Sequence, residues 1–164
     1  MKHENFVHAD PDAFHGRELS LHDCVANRIS LEKEGIRFFL PEGFWVVACH
    51  GENPWGKTVR TDASEVMFSC PDTEEISLRV FCRGRGLLSR RTFVEERGAE
   101  WLVREVNSGK CTLEFISQYK SFYEQMWLCA LHSERKPYHR ECQLYLPRAK
   151  ADFFWNGIRP DCCR

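Results

Sequence analysis

The segment from 129 to 142 contains two cysteines and two histidines, which are the side chains that hold structural zinc ions. They form a CxxH pair, Cys129 and His132, and an HxxC pair, His139 and Cys142. If the chain turns midway between the pairs, His132 faces His139 and Cys129 faces Cys142. Side chains alternate between the two faces of a strand, so histidines and cysteines three positions apart lie on opposite faces. We therefore predict core cysteines and no metal site, with zinc on these four residues as the alternative.

A second group could bind an anion. It consists of four arginines, Arg83, Arg85, Arg90 and Arg91. The arginines and two glycines directly precede a predicted helix. The free amides at the start of that helix and the guanidinium groups could together bind a phosphate or a carboxylate. Glu95 and Glu96 would lie in the first helical turn and already complement the helix dipole. A solvated turn is the simpler interpretation, and a site for an anion or an acidic partner is the functional one.

A third group contains the residue types of thiol catalysis. His22, Asp23 and Cys24 are consecutive, and His50 follows Cys49. A catalytic thiolate needs a base within hydrogen-bond reach and a further group that orients the base. Neighbouring residues of a strand point to opposite faces, so adjacency in sequence does not provide that arrangement. A thiol-dependent hydrolase at His22, Cys24 and His50 remains one alternative for the function.

Alternating apolar and polar residues predict strands over most of the chain. One hairpin is expected around Gly35 and a second around Pro71-Asp72-Thr73, and residues 111 to 146 return to strands. Seven or eight mostly antiparallel strands with one helix predict an α+β fold, either a sandwich or a partly closed barrel.

One helix is predicted at 93–107. Thr92 and Glu95 match a capping box, in which each side chain bonds a free amide at the start of a helix. An apolar stripe at helical spacing follows, formed by Ala99, Leu102, Val103 and Val106. Ser108-Gly109 is expected to end the helix.

Composition indicates one globular domain. The 164 residues are 43% hydrophobic and 29% charged, with a net charge of −1. Residues 1–20 are expected to form an irregular arm, and 21–164 a single β-rich domain. The near-neutral charge argues against nucleic acid or a membrane as partner. No apolar run resembles a signal peptide, and the nine cysteines are odd in number and irregularly spaced, so we expect reduced thiols and a cytoplasmic location.

Three short segments resemble parts of small bacterial proteins of unknown function. They are the His-Asp-Cys sequence at 22–24, the segment KPYHRECQ at 136–143 and Phe-Trp-Asn at 154–156. The resemblance implies a bacterial, intracellular setting. Some proteins of this size and style neutralise toxins by binding them, which makes an inhibitor-like or immunity-like role conceivable by analogy.

No coherent catalytic set emerges, so we expect a non-enzymatic binding protein that uses an exposed aromatic or charged sheet face. Consecutive aromatic residues, such as Phe38 and Phe39, require some rings to point away from a single core. The expected partner is another protein, with a homodimer as a further possibility and no cofactor. The alternative to macromolecular binding is a small-molecule pocket lined by Trp127, Trp45 or Phe38.

Overall fold

The computed structural model describes residues 3–9, 19–85, 90–121 and 124–163. In chain order the strands of these segments are β1 (Asn5–Ala9), β2 (Leu19–Ser20), β3 (Cys24–Ala26), β4 (Arg28–Glu32), β5 (Gly35–Leu40), β6 (Trp45–Val46), β7 (Val59–Thr61), β8 (Ser64–Ser69), β9 (Ser77–Arg85), β10 (Arg90–Gly98), β11 (Thr112–Lys120), β12 (Glu124–His132), β13 (His139–Pro147), β14 (Lys150–Trp155) and β15 (Ile158–Cys163). The helix α1 (Ala99–Asn107) lies between β10 and β11.

The strands form three antiparallel sheets. The five-stranded sheet has the order β1-β14-β8-β5-β4, the six-stranded sheet β10-β9-β13-β12-β11-β3, and the four-stranded sheet β15-β7-β6-β2. Within the described residues none of the sheets closes into a barrel, which confirms an α+β fold of the sandwich type. The described segments hold more strands than the predicted seven or eight. Short strands such as β2, β6 and β7 are too brief to show a repeating pattern.

Aromatic rings fill the space between the two larger sheets. Phe38 of β5 contacts Phe115 of β11 edge to face, with ring centroids 5.1 Å apart. Phe115 in turn contacts Trp127 of β12 at 5.2 Å, and Phe68 of β8 lies 6.3 Å from Trp127. Because these rings pack against one another, they occupy the place where a pocket lined by Trp127 and Phe38 would lie.

The helix begins later than the capping box predicts. Residues 90–98 form β10, every residue of which pairs with β9, and the helix starts at Ala99. The predicted helix 93–107 is therefore wrong for its first six residues. The apolar stripe is confirmed, because Ala99, Leu102 and Val106 are buried and Val103 is partly buried against the core. Gly109, with φ of 71°, follows the C-cap residue Ser108 as predicted.

The two predicted hairpins had different outcomes. Glu32 pairs with Gly35 at the turn between β4 and β5, which confirms the first. A Cβ at Gly35 would lie 2.0 Å from the carbonyl oxygen of Phe68, so this close approach requires glycine. The second is wrong: β8 belongs to the five-stranded sheet and β9 to the six-stranded sheet, so Pro71-Asp72-Thr73 lies on a crossover between sheets.

The N-terminal segment also differs from the prediction. Within the segment 1–20, which is predicted to be irregular, Asn5–Ala9 form β1 at the edge of the five-stranded sheet, and Leu19–Ser20 form β2, which pairs with β6. The Asn5 side chain donates a hydrogen bond to the carbonyl oxygen of Asn156 at 2.9 Å. Residues 10–18 lie outside the described residues. The only helix found in the described part of the chain is too short and too polar to cross a membrane.

Candidate interaction surface

The β12–β13 hairpin has the predicted register. Cys129 pairs with Cys142 and His132 with His139. Both cysteines are fully buried in the core, whereas the His132 side chain is 43% exposed and lies 2.6 Å from the Glu114 carboxylate. Histidines and cysteines thus lie on opposite faces of the sheet. Within the described segments no group of three or more His, Cys, Asp or Glu side chains is arranged to hold a metal ion.

The Cys24 thiol has the contacts of a structural side chain. It is fully buried, 3.7 Å from the carbonyl oxygens of Ser20 and His22, and the Arg60 guanidinium approaches it at the same distance. Burial raises the pKa of this thiol, although the hydrogen bond from Arg60 acts in the opposite direction. A raised pKa reduces the thiolate population that nucleophilic catalysis needs.

The two histidines of the proposed thiol site have other partners. The Nδ1 atom of His22 lies 2.8 Å from the Asp23 carboxylate. His50 is buried, its Nδ1 accepts a hydrogen bond from the Glu52 amide at 3.1 Å, and its ring packs against Trp155. These contacts place each histidine in its own local structure, and they do not assemble the base–thiol pair that a hydrolase requires.

The four predicted arginines come together at one end of the β9–β10 hairpin. Arg85 pairs with Arg90, Arg91 pairs with Gly84 at the next position, and Arg83 pairs with Thr92 at the one after. For Arg85, Arg90 and Arg91 the structure describes only the backbone, and residues 86–89 lie outside the described residues. The predicted role of helix amides is wrong, because α1 begins eight residues after Arg91.

In the part of the chain that the structure describes, this end of the hairpin is not hydrogen-bonded to β13. Strand β13 pairs with β9 only from Ser77 to Val80, so from Phe81 onward β10 is the one strand paired with β9 among the described residues. We call the two-stranded part, Phe81–Arg85 with Arg90–Val94, the arm. β10 is also an edge strand, and one side of its backbone has no strand partner within the described residues.

Two apolar residues of the arm face solvent. Phe93 is 47% exposed and Val94 48% exposed, and they point to opposite faces because they are adjacent in a strand. Phe81 and Cys82, which pair with Val94 and Phe93, are only partly buried. The arm therefore presents apolar surface on both faces beside an unpaired strand edge.

Charges on the hairpin are distributed unevenly. Near its base the acidic residues are neutralised, since Glu96 pairs with Arg79 at 3.1 Å and Glu95 with Arg97 at 2.6 Å. The segment 83–91 contains four arginines and no acidic residue. The distal end of the arm thus carries a local excess of positive charge on a protein whose net charge is −1.

The outer face of the five-stranded sheet also carries aromatic rings, in agreement with the prediction for consecutive aromatic residues. Phe38 is buried while Phe39 is partly exposed, and the Arg28 guanidinium lies 3.8 Å from the centre of the Phe39 ring. Phe154 is contacted in the same way by Arg37 and by the Phe6 ring. Phe39 and Phe154 are thus covered by side chains of the same protein, whereas Phe6 is 56% exposed.

Sequence reasoning missed Phe93 and Val94 because the capping-box pattern assigned them to a helix. The signal that could have found them is the run Thr92-Phe93-Val94, three consecutive residues that favour strands over helices. Comparison of the chain with protein-family models, with curated proteins and with solved structures gave no match.

Proposed function

We propose that this chain is a non-enzymatic binding protein that uses the arm to engage an acidic, strand-forming segment of another protein. The observation that carries the proposal is the coincidence at one place of an unpaired strand edge, two exposed apolar side chains and a basic end. The partner belongs to the cytoplasm of a bacterium, in line with the reduced thiols and the resemblance described above.

The edge of β10 supplies backbone recognition. An exposed strand edge offers N–H and C=O groups to an incoming strand, and main-chain hydrogen bonds then supply much of the affinity. β10 is nine residues long, which is enough for several such bonds. Soluble proteins usually protect edges of this length, so an edge left open beside apolar residues is typical of an interaction site.

Phe93 and Val94 supply apolar contact. Full burial of a Phe or Val side chain is worth roughly 1.5 to 3 kcal/mol, so covering the exposed half of each contributes about 1 kcal/mol per residue. Because the two side chains point to opposite faces, a single partner strand at the edge can contact both.

The arginines supply attraction and selectivity. An excess of positive charge accelerates encounter with an acidic partner and penalises a basic one, and added salt weakens both effects. Glu95 and Glu96, which follow the arm, are already paired with Arg97 and Arg79, so the positive charge of the arm favours acidic segments.

The proposal is tested by selecting a displayed library of random ten-residue peptides on the immobilised protein and measuring the affinity of enriched peptides. We expect enrichment of sequences that combine Asp or Glu with β-branched residues, and affinities that fall as salt is raised. Replacing Phe93 and Val94 together by Ser should weaken these peptides about tenfold or more, as two losses of about 1 kcal/mol predict. The matched control is Tyr138→Ser, a change of an equally exposed aromatic residue outside the arm.

Charge is tested separately. Arg83→Glu should weaken binding and reduce its salt dependence, whereas Lys33→Glu, in the exposed turn between β4 and β5, should change neither. Enrichment without acidic residues, or affinities that the Phe93/Val94 double variant leaves unchanged, would contradict the proposal. Analytical sedimentation at increasing protein concentration tests whether two copies of the chain pair through this edge. A dimer that the Phe93/Val94 double variant abolishes would show that the edge serves self-association instead.

A further inference from the structure

A separate cleft of about 420 Å³ lies between the end of α1 and the turn that joins β12 to β13. Four cationic residues line it, namely Lys110, Arg135, Lys136 and Arg140. Its acidic lining residues are Glu105 and Glu134, and the hydroxyl-bearing Ser108 and Ser133 complete the polar wall. None of these residues belongs to the arm, so the cleft is a separate candidate site.

The positive charges of the cleft are only partly neutralised. Lys110 pairs with Glu105, their charged atoms 2.8 Å apart. Arg135, Lys136 and Arg140 have no ion-pair partner among the described residues, and Glu134 is the one remaining carboxylate of the lining. The cleft therefore has an excess of two positive charges.

Arg140 is held in place with an unused donor. Its guanidinium lies 5.7 Å from the centre of the Trp101 ring, and its Nε atom is buried without a hydrogen-bond acceptor. Buried polar groups in proteins almost always have a partner, because leaving one unpaired costs free energy. Arg140 also lines the cleft without an ion-pair partner among the described residues, so an anion there would supply the countercharge that the guanidinium lacks.

We propose that this cleft binds the phosphate group of a small, soluble molecule. Two excess positive charges match a phosphate dianion better than a single carboxylate. Arginine presents a planar set of donors to phosphate oxygens, and lysine adds a mobile point charge. The volume falls within the range of small-molecule sites, near its lower end, which suits a compact phosphate ester or diphosphate.

Calorimetric titration with inorganic pyrophosphate at low ionic strength tests the proposal. We expect one binding event per chain, weakened at least tenfold by Arg140→Gln and several-fold by Lys136→Gln. Arg83→Gln on the arm is the matched control and should leave the affinity unchanged. This control also separates the two proposals, because loss of binding in Arg83→Gln would place the anion on the arm and overturn the cleft site.

Two further measurements complete the test. Arg140→Gln removes a guanidinium that lies beside Trp101, so thermal unfolding is recorded to check that this variant still folds. Lys136→Gln provides the second variant if Arg140→Gln does not fold. Absence of heat with pyrophosphate, or equal affinity of wild type and Lys136→Gln, overturns the proposal. Tighter binding of citrate than of pyrophosphate would overturn the assignment to phosphate, since citrate presents only carboxylates.

Discussion

The nine cysteines should separate into reactive and protected sets when the folded protein meets a thiol reagent. The exposed cysteines are Cys49 and Cys163, and Cys82 and Cys162 are half-buried. The buried cysteines are Cys24, Cys70, Cys111, Cys129 and Cys142. We expect Ellman's reagent at pH 8 to modify the exposed pair first, the half-buried pair more slowly and the buried set last.

Burial determines how much more slowly the core cysteines react with the reagent. Cys129 and Cys142 are fully buried and pair with each other in the centre of the six-stranded sheet, so the reagent reaches them only after unfolding. A domain stable by about 5 kcal/mol or more is open for less than about one part in 5,000, which slows labelling by the same factor. Cys70 and Cys111 lie just outside strands, where local opening requires less free energy.

Ionisation adds to the protection of any buried thiol that the reagent reaches while the protein is still folded. Burial raises the pKa of the Cys70 thiol to about 11, and the Cys129 pKa is also raised well above the ordinary value. The thiolate is the reactive form, so a rise of about two pKa units lowers its population at pH 8 roughly a hundredfold. For a buried thiol that reacts within the folded protein, burial and ionisation therefore both slow the labelling.

The assay is quenched labelling followed by mass spectrometry of proteolytic peptides, with a sample in guanidinium chloride in which all nine thiols must react. Labelling of Cys129 or Cys142 at the rate of Cys49, in protein that remains folded by circular dichroism, would refute the reasoning. That result would mean that the β12–β13 hairpin does not place its cysteines on the core face.

Two further predictions concern stability. Phe115→Ala should lower the free energy of unfolding by about 3 to 5 kcal/mol, because it removes a fully buried ring. Tyr119→Ala on the same strand should lower it by less than about 0.5 kcal/mol, since Tyr119 is 56% exposed. Urea denaturation measures both changes. Stability should also fall as pH rises from about 9 towards 11, because the unfolded Cys70 thiol ionises near 9 while the folded one keeps its proton to about 11. The decline should be smaller in Cys70→Ala, and an unchanged decline would contradict the assigned cause.

Periodicity along the chain determined the local geometry of the long strands. The two-residue repeat placed Cys129 and Cys142 on one face and His132 and His139 on the other, and the structure has that register. The repeat suffices here because one face of the hairpin must be buried, and a slip of one residue would expose its apolar side chains. For the same reason the stripe at Ala99, Leu102 and Val106 identified the buried face of the helix.

Which strands become neighbours was decided only by the tertiary structure. β8 and β9 follow each other across a plausible turn, yet they do not pair: β8 lies between β5 and β14, and β9 lies between β10 and β13. Alternation reports which face of a strand is buried, and it carries no information about the strand alongside. The sequence of β1 likewise gives no sign that it will lie beside β14.

The arm depends on the sequence for its charge and on the tertiary structure for its open edge. Its four arginines could be singled out from the sequence alone, because charge is a property of residue type. The open edge beside them exists because β10 is the last strand of the six-stranded sheet, and Phe93 and Val94 lie where the β9–β10 pair continues past the last residue of β9 that pairs with β13. Pairing of β10 with β9 along its whole length also overrode a local helix-start pattern, since hydrogen bonds between strands outweigh the modest stabilisation that a capping box provides.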